Sequence, residues 1–299
     1  MTLGRRGLLI GGAAAVGLVG AGWRRTGSTA DMAELAARKR LPLPATPMGR
    51  DLIRYATVAA NRHNTQPWRF RETAAGIDIL PDLSRRTPVV DPDDHHLFVN
   101  LGCATDNLSL AMAAQGQGGE ITVDPERAIH VAFGTFRSPD TAQMADPVFV
   151  AELKHWLRFS PHAAMTTGDG LYSAASGSPS RPDWLGPHLF DIAVATKSET
   201  AKYARQIASS SGIAVFAGAS ATPTKWVQVG RACQRFALQA TALGLKLAFL
   251  HQPVEVAGFR AELAALAGLP GRRPDIVMRF GRAAAMPWSV RKPVEAVMA

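Results

Sequence analysis

Ala59-Ala60-Asn61-Arg62-His63-Asn64-Thr65-Gln66-Pro67-Trp68-Arg69-Phe70 decides how the rest of the chain is read. Asn61, His63, Asn64, Thr65 and Gln66 crowd hydrogen-bonding side chains into six positions, Pro67 closes the loop, and Trp68 begins an alternating strand. This is loop chemistry: Asn and Gln favour turns over helix interiors. Their amides donate and accept at once, which suits a flat heteroaromatic ring carrying both carbonyls and N–H groups. The same residues also make an ordinary polar turn before a strand.

Working outward, residues 51–60 read as a helix with Leu52, Ile53, Ala56, Val58 and Ala59 partly inward, delivering the chain into the loop. Before it, the repeated prolines of residues 41–47 hold the chain extended, and residues 31–39 have helical character. Beyond it, residues 68–70 and 76–80 fit a β-hairpin, with GIDIL alternating at period two.

A second pattern spans the chain. VNLGCATDNLSLAMAAQG, from Val99, aligns without a gap against VQVGRACQRFALQATALG, from Val227, at a constant offset of 128. Val, Gly, Ala, Leu, Ala and Gly coincide. The second copy carries Trp226, Val229, Cys233, Phe236, Ala240 and Leu243 at helical spacing, and a strand ending in Phe-Gly follows each copy. That predicts one supersecondary unit used twice about a pseudo-twofold axis. Chance similarity of two Ala-rich helices is the competing explanation. Between the copies, residues 165–186 are rich in Gly, Ser and Pro, have no period, and carry Tyr172 and Trp184, as befits a solvent-facing connection or a lid. A helix over 198–209 and a buried strand over 212–216 follow.

Asp91, Asp93, Asp94, His95 and His96 resemble a metal cluster in composition. The spacing argues otherwise. Adjacent histidines on a helix diverge by about 100°, whereas ligands for one ion recur at i and i+3 or i+4. A turn with Asp capping a helix explains the same residues, and no metal is expected.

The composition, 47% hydrophobic and 19% charged over 299 residues, is that of a globular protein. The net charge of +9 is scattered, without basic residues interleaved with aromatics, so nucleic acid is not an expected partner. Cys103 and Cys233 form neither a disulfide framework nor a thiolate metal motif. Residues 1–30 read as an address. Arg5 and Arg6 precede an uncharged run over 7–22, which as a helix reaches only about 24 Å, short of a bilayer core. A charged start and a short apolar run make a twin-arginine-type signal, which implies the twin-arginine translocation machinery as a partner and a periplasmic or otherwise exported protein. No clean A-x-A cleavage site follows, so an uncleaved leader would leave a membrane tether. An N-terminal buried helix is the alternative.

Asn64-Thr65-Gln66-Pro67-Trp68 resembles the N-x-Q-P-W segment of the nitroreductase family of flavin mononucleotide (FMN) proteins. Three further pieces are similar to that family: the helix over 230–244, the Pro-x-Glu turn in Gln252-Pro253-Val254-Glu255, and the basic residues of the segment over 281–292. The resemblance implies an α+β fold with a central, mostly antiparallel sheet flanked by helices. The family's usual Arg-x-Ser-x-Arg motif does not precede Asn61, and the duplicated helix points to a fused single-chain branch, a monomeric pseudo-dimer with halves at 48–150 and 151–299 and a lid over 165–186.

What the resemblance implies for the site is FMN as cofactor, with Asn61, Arg62, His63, Asn64, Gln66 and Trp68 around it. The amides of Asn61, Asn64 and Gln66 are expected on ring carbonyls and ribityl hydroxyls, the peptide groups of Val254 and Glu255 beside Pro253 near N5, and Arg62 or Arg69 near N1. Arg291 and Lys292 are expected on the phosphate, a solvated basic tail being the alternative. No catalytic side chain is needed, because the cofactor carries the chemistry. The expected activity is two-electron transfer to a nitro, quinone or similar flat acceptor. A flavin-holding protein without turnover and a metal hydrolase using Asp93, His95 and His96 are the rival readings.

Overall fold

The computed structural model describes residues 26–74, 76–117, 121, 128–132, 147–193 and 196–299. Most of the leader-like segment lies outside them. The fold mixes helices and sheet. In chain order it contains α1 (Thr29–Arg38), α2 (Gly49–Thr57), a 3-10 turn (Arg62–Asn64), β1 (Trp68–Thr73), β2 (Gly76–Pro81), α3 (His95–Ala113) and β3 (Ala128–Ala132). Then come α4 (Pro147–Trp156), β4 (Leu157–Arg158), α5 (Pro161–Thr167), β5 (Leu171–Tyr172), α6 (Gly186–Ala193) and α7 (Thr196–Ala208). The last part comprises β6 (Gly212–Ala217), α8 (Pro223–Ala242), β7 (Lys246–Phe249), α9 (Gln252–Glu255), α10 (Arg260–Leu266) and β8 (Ile276–Gly281).

The main sheet runs β3-β6-β8-β7, every neighbouring pair antiparallel. Its inner strand β6 is apolar throughout because both faces are covered. Ala214 and Phe216 pack with Trp226, Val229 and Cys233 of α8, whereas Ile213 and Val215 pack with Leu250, Val254 and Leu263 on the other side. The period-two alternation that would betray a half-exposed strand is therefore missing. β1 and β2 form the expected hairpin, Trp68 opposite Pro81 and Thr73 opposite Gly76. Trp68 and Phe70 are wholly buried against α2, α3 and Val297. The backbone of Ala299 donates to Phe70 O at 2.8 Å, adding the tail to the hairpin edge.

The two long helices, α3 and α8, cross at their glycines. A Cβ on Gly102 would lie 2.0 Å from Val227 O, and one on Gly230 would lie 1.9 Å from Val99 O. Only glycine allows backbones this close. The polar contacts beside the crossing are reciprocal in the same register. Arg235 Nε and Nη2 donate to the two carboxylate oxygens of Asp106 at 3.0 and 2.8 Å, while Gln234 Nε2 donates to Asn107 Oδ1 at 3.0 Å. α8 starts at Thr222, whose hydroxyl accepts from Lys225 N, with Pro223 at its first position. Asp94, just before α3, makes no side-chain cap bond; the first-turn N–H groups are met by Asp91, whose carboxylate accepts from His96 N at 2.9 Å and Leu97 N at 3.0 Å. That is the aspartate cap expected at this turn.

The segment over 165–186 is more ordered than its composition implies. It holds the end of α5, the short strand β5, a 3-10 turn at Ser173–Ser176 and the start of α6. Tyr172 is buried and Trp184 exposed. Among the described residues no helix is long and apolar enough to cross a membrane.

Candidate functional site

The loop over 61–67 is the most strained backbone in the described chain. His63, Asn64 and Gln66 all take positive φ, at 46°, 54° and 52°, and among the described residues the only other non-glycine to do so is Asp94, just before α3. Such conformations cost of order 1–3 kcal/mol each, least for Asn, and persist only where surroundings impose them.

Most of the loop's amides face the chain itself. Asn61 Oδ1 accepts from Gln66 N at 2.9 Å and Asn61 Nδ2 donates to Ala59 O at 3.1 Å, closing the loop internally. Gln66 Nε2 donates to Gly168 O at 2.9 Å while its Oε1 accepts from Lys292 N at 3.0 Å. Asn64 Nδ2 donates to both Gly170 O (3.1 Å) and Val290 O (2.9 Å). Three distant segments are thereby clamped together. The expectation that all three amides face a ring is corrected: only Asn64 Oδ1, buried and without a partner, remains available.

Arg62 is buried, not solvated. Its Nη2 donates to Glu255 Oε1 at 2.6 Å, with the two side chains only 5% and 8% exposed. Asn100 of α3 accepts from the Arg62 N–H at 3.2 Å. Arg62 Nε and Nη1 are buried without partners, as are Gln252 Oε1 and His251 Nδ1 in and just before α9. His63 is held well below the usual imidazole pKa by burial first, then by the charges of Arg62 and His251. His251 is lowered likewise, by burial and then by His96 and Arg62. Between the loop, α3 and α9 there is thus a buried cluster of donors and acceptors whose bonds the described protein does not complete.

Other expected positions fall elsewhere. Glu255 contributes its carboxylate, the partner of Arg62. The N–H groups of Val254 and Glu255 donate to His251 O at 2.8 and 2.9 Å, and Val254 O accepts from Arg260 Nε at 2.6 Å, so these peptide groups are engaged within α9 and its flank. Pro253 is buried beside them. Trp68 belongs to the core. Arg69 Nε pairs with Asp82 at 2.9 Å, and its Nη1 reaches Ala296 O at 3.3 Å, facing the hairpin edge and not the cluster.

Arg291 is also reassigned. It is buried, and its nitrogens donate to the carbonyls of Thr57 (2.8 Å), Ala59 (3.1 Å) and Val290 (3.1 Å), finishing the end of α2. Burial, then the charge of Arg40, pushes its pKa down to about 9. Its fork is filled by main chain, which leaves no free edge for a phosphate. Lys292 Nζ lies 3.5 Å from Asp169, which also accepts from Arg85 Nη2 and Arg158 Nη2, each at 2.7 Å. Burial raises the Asp169 pKa, but these hydrogen bonds and charges outweigh it and hold the carboxyl below its usual range. Asp169 thus locks the segment over 168–170 onto the loop. Its role, and those of His251 and Asn100, carried no motif in the sequence; Gln252 stands in the Pro-x-Glu piece but was given no role, and His251 could have been suspected only from its place just before that turn.

Asp93, exposed and paired with Arg273, is separate from the other acidic and imidazole groups of its turn. Asp91, His95 and His96 are not dispersed: their ligand atoms lie within 4.8 Å of one another and the two imidazole centroids are 4.4 Å apart. The helical divergence of adjacent side chains does not keep these two rings apart, because they sit at the first turn where Asp91 folds back over them.

No protein-family model matches the chain. Counterparts in two strains of Mycobacterium tuberculosis, each described as "Putative NAD(P)H nitroreductase", are 31% identical to it over 87 residues, which is 28% of this chain. The match spans 25% of the length of those relatives. The similarity is in the direction that the Asn-x-Gln-Pro-Trp segment indicates.

Proposed function

We propose that the chain is an FMN-dependent oxidoreductase of nitroreductase type, passing two electrons to a nitro compound, quinone or similar flat acceptor. One observation carries this reading: a strained loop and a buried Arg62–Glu255 pair enclose polar atoms, Asn64 Oδ1, Arg62 Nε and Nη1 and Gln252 Oε1, that lack partners. Buried polar atoms cost free energy when unpaired, so such a set is what a ligand bearing both donors and acceptors would complete. The partial similarity to nitroreductases supports the same class. Bound there, FMN would supply two-electron transfer through its ring. Arg62 would donate to the electron-rich edge, held in place by Glu255, and Asn64 Oδ1 would accept a ring N–H. The mix of unpartnered donors and acceptors suits the polar edge of such a ring. Arg291 does not fit the phosphate, and no residue is assigned to it.

The single-chain pseudo-dimer is part of the proposal. It is supported by the reciprocal contacts of α3 and α8, which pair Gly102 with Val227 and Gly230 with Val99 at the 128-residue offset. Export through a twin-arginine leader is likewise proposed, from the arginine pairs at the start of the sequence.

A second reading, a flavin holder without turnover, is favoured by the clamp of Gly168, Asp169 and Gly170 over the loop. The visible spectrum of the purified protein, followed by anaerobic mixing with NADH or NADPH, separates the readings. A flavin spectrum that bleaches promptly supports the oxidoreductase. Colour that resists both nucleotides and yields to dithionite supports the holder. A colourless protein that takes up no added FMN refutes both.

A further inference from the structure

The turn ahead of α3 contains buried groups that the flavin reading does not use. Asp91, His95 and His96 are all nearly inaccessible, His96 being 2% exposed, and their ligand atoms converge within 4.8 Å. None of the four ring nitrogens of His95 and His96 has a hydrogen-bond partner of good geometry. Nε2 of His95 lies 2.8 Å from Asp275 Oδ1, at the threshold of β8. The ring of His95 is braced edge-on by Trp226 at 5.2 Å, and that of His96 by His251 at 4.9 Å.

Asp91 and Asp275 are both buried carboxylates, with the His96 and His95 imidazoles respectively within ion-pair distance of them. The nearby arginines are engaged: Arg273 pairs with Asp93, Arg62 with Glu255, and Arg260 Nε donates to Val254 O. Backbone N–H groups of His96, Leu97 and Gly218 meet the two carboxylates in part. They leave acceptor capacity on Asp91, since a carboxylate has about four lone-pair sites.

We propose that Asp91, His95 and His96 form a binding site for a divalent first-row transition ion of the zinc type, with Asp275 orienting His95 from behind. Two imidazoles and a carboxylate are ligands for such ions, whereas magnesium and calcium require oxygen sets. A carboxylate behind a metal-bound imidazole fixes its tautomer and raises its basicity, which matches the Asp275–His95 contact. The positive end of α3 opposes a cation here. That is a surface-scale effect against direct bonds from three ligands, and the Asp91 carboxylate already meets the N–H groups of His96 and Leu97 at that end. The ion would tie the Asp91 turn to the first turn of α3, and the proposal does not require that flavin bind.

The test uses the full chain without an affinity tag, stripped with a chelator and titrated with Zn2+ by calorimetry, with Co2+ as the spectroscopic probe. One ion per chain is expected, with a rise in Tm on adding Zn2+. His95→Gln and His96→Gln should each weaken binding at least about 100-fold, and Asp275→Asn about 10-fold. If the variants do not fold, X-ray absorption of the Zn2+-loaded wild type decides, with at least two imidazole nitrogens expected at about 2.0–2.1 Å. Wild-type protein that takes up no stoichiometric ion, variants that bind as tightly as wild type, or a coordination shell with fewer than two imidazoles would overturn the proposal.

Discussion

Two polar regions meet at residue 64, and they are built in opposite ways. On one side, the amides of Asn61 and Gln66 and the guanidinium of Arg291 are fully occupied by main-chain groups, tying residues 57–67 to 168–170 and 290–292. On the other side, Arg62, Asn64 Oδ1, His251 and Gln252 present buried atoms with no partner at all. Both regions are equally polar in composition. The difference lies in whether the described chain completes their hydrogen bonds, and the proposed ligand site is built on the side where it does not.

The largest test of that contrast is Glu255→Ala, which leaves Arg62 buried without its counter-ion. A loss of about 3–5 kcal/mol is expected in urea unfolding, because an uncompensated buried charge is far more costly than a missing pair. Replacing both members with methionine should recover most of that stability while lowering FMN uptake. If uptake is unchanged in the folded double variant, the pair is scaffold after all.

Gln66→Ala should cost about 1–3 kcal/mol, from the bonds to Gly168 O and Lys292 N, without altering flavin occupancy after reconstitution. A folded Gln66→Ala protein that has lost its flavin would move this residue across the divide. Asn64→Ala should do both, lowering occupancy and costing about 1–2 kcal/mol, because its two ends belong to different regions.

His63 gives a pH-dependent probe. Its folded pKa lies below the unfolded value, so the unfolded chain binds the extra proton as pH falls. Stability is therefore complete above the unfolded pKa, near 6.5, and declines below it by about 1.4 kcal/mol per pH unit until the folded pKa is reached. His63→Asn keeps a residue that tolerates positive φ and removes the titration, so the wild-type minus variant difference should vanish above pH ~7 and grow below ~6. Equal acid sensitivity in both proteins would exclude a buried neutral imidazole here. The smallest effect belongs to the exposed Arg71–Asp78 pair across the hairpin: Asp78→Asn should change stability by less than about 0.5 kcal/mol.

The elements set by local pattern were legible in the sequence. The hairpin after Trp68, the helix into the loop, both long helices and the strands of residues 212–217 and 276–281 follow from periodicity and turn chemistry. The ordered segment over 168–176 did not, because its Gly and Ser residues are held by long-range bonds to Asn64, Gln66 and Arg85 that no local pattern records. The loop over 61–67 stands out in the sequence by its amides, yet the direction of its side chains was not readable. Positive φ at three successive bends turns Asn61 and Gln66 inward, and only tertiary contacts decide that. Arg291 was misread for a related reason: an arginine beside a lysine near the end of a sequence looks like a solvated or phosphate-binding pair, and nothing local says that α2 will cover it.

The clamp on Asn64 joins residues 226 positions apart in the sequence, as does that on Gln66. A nascent chain that has just emerged through the loop can form the hairpin but has nothing to hold the three left-handed residues in place. The geometry of the loop is therefore a late product of folding, acquired only after the segment at 290–292 has been made and has packed back. Contacts of such long range slow a folding reaction, so in a refolding experiment the hairpin should protect its amide hydrogens well before the loop does.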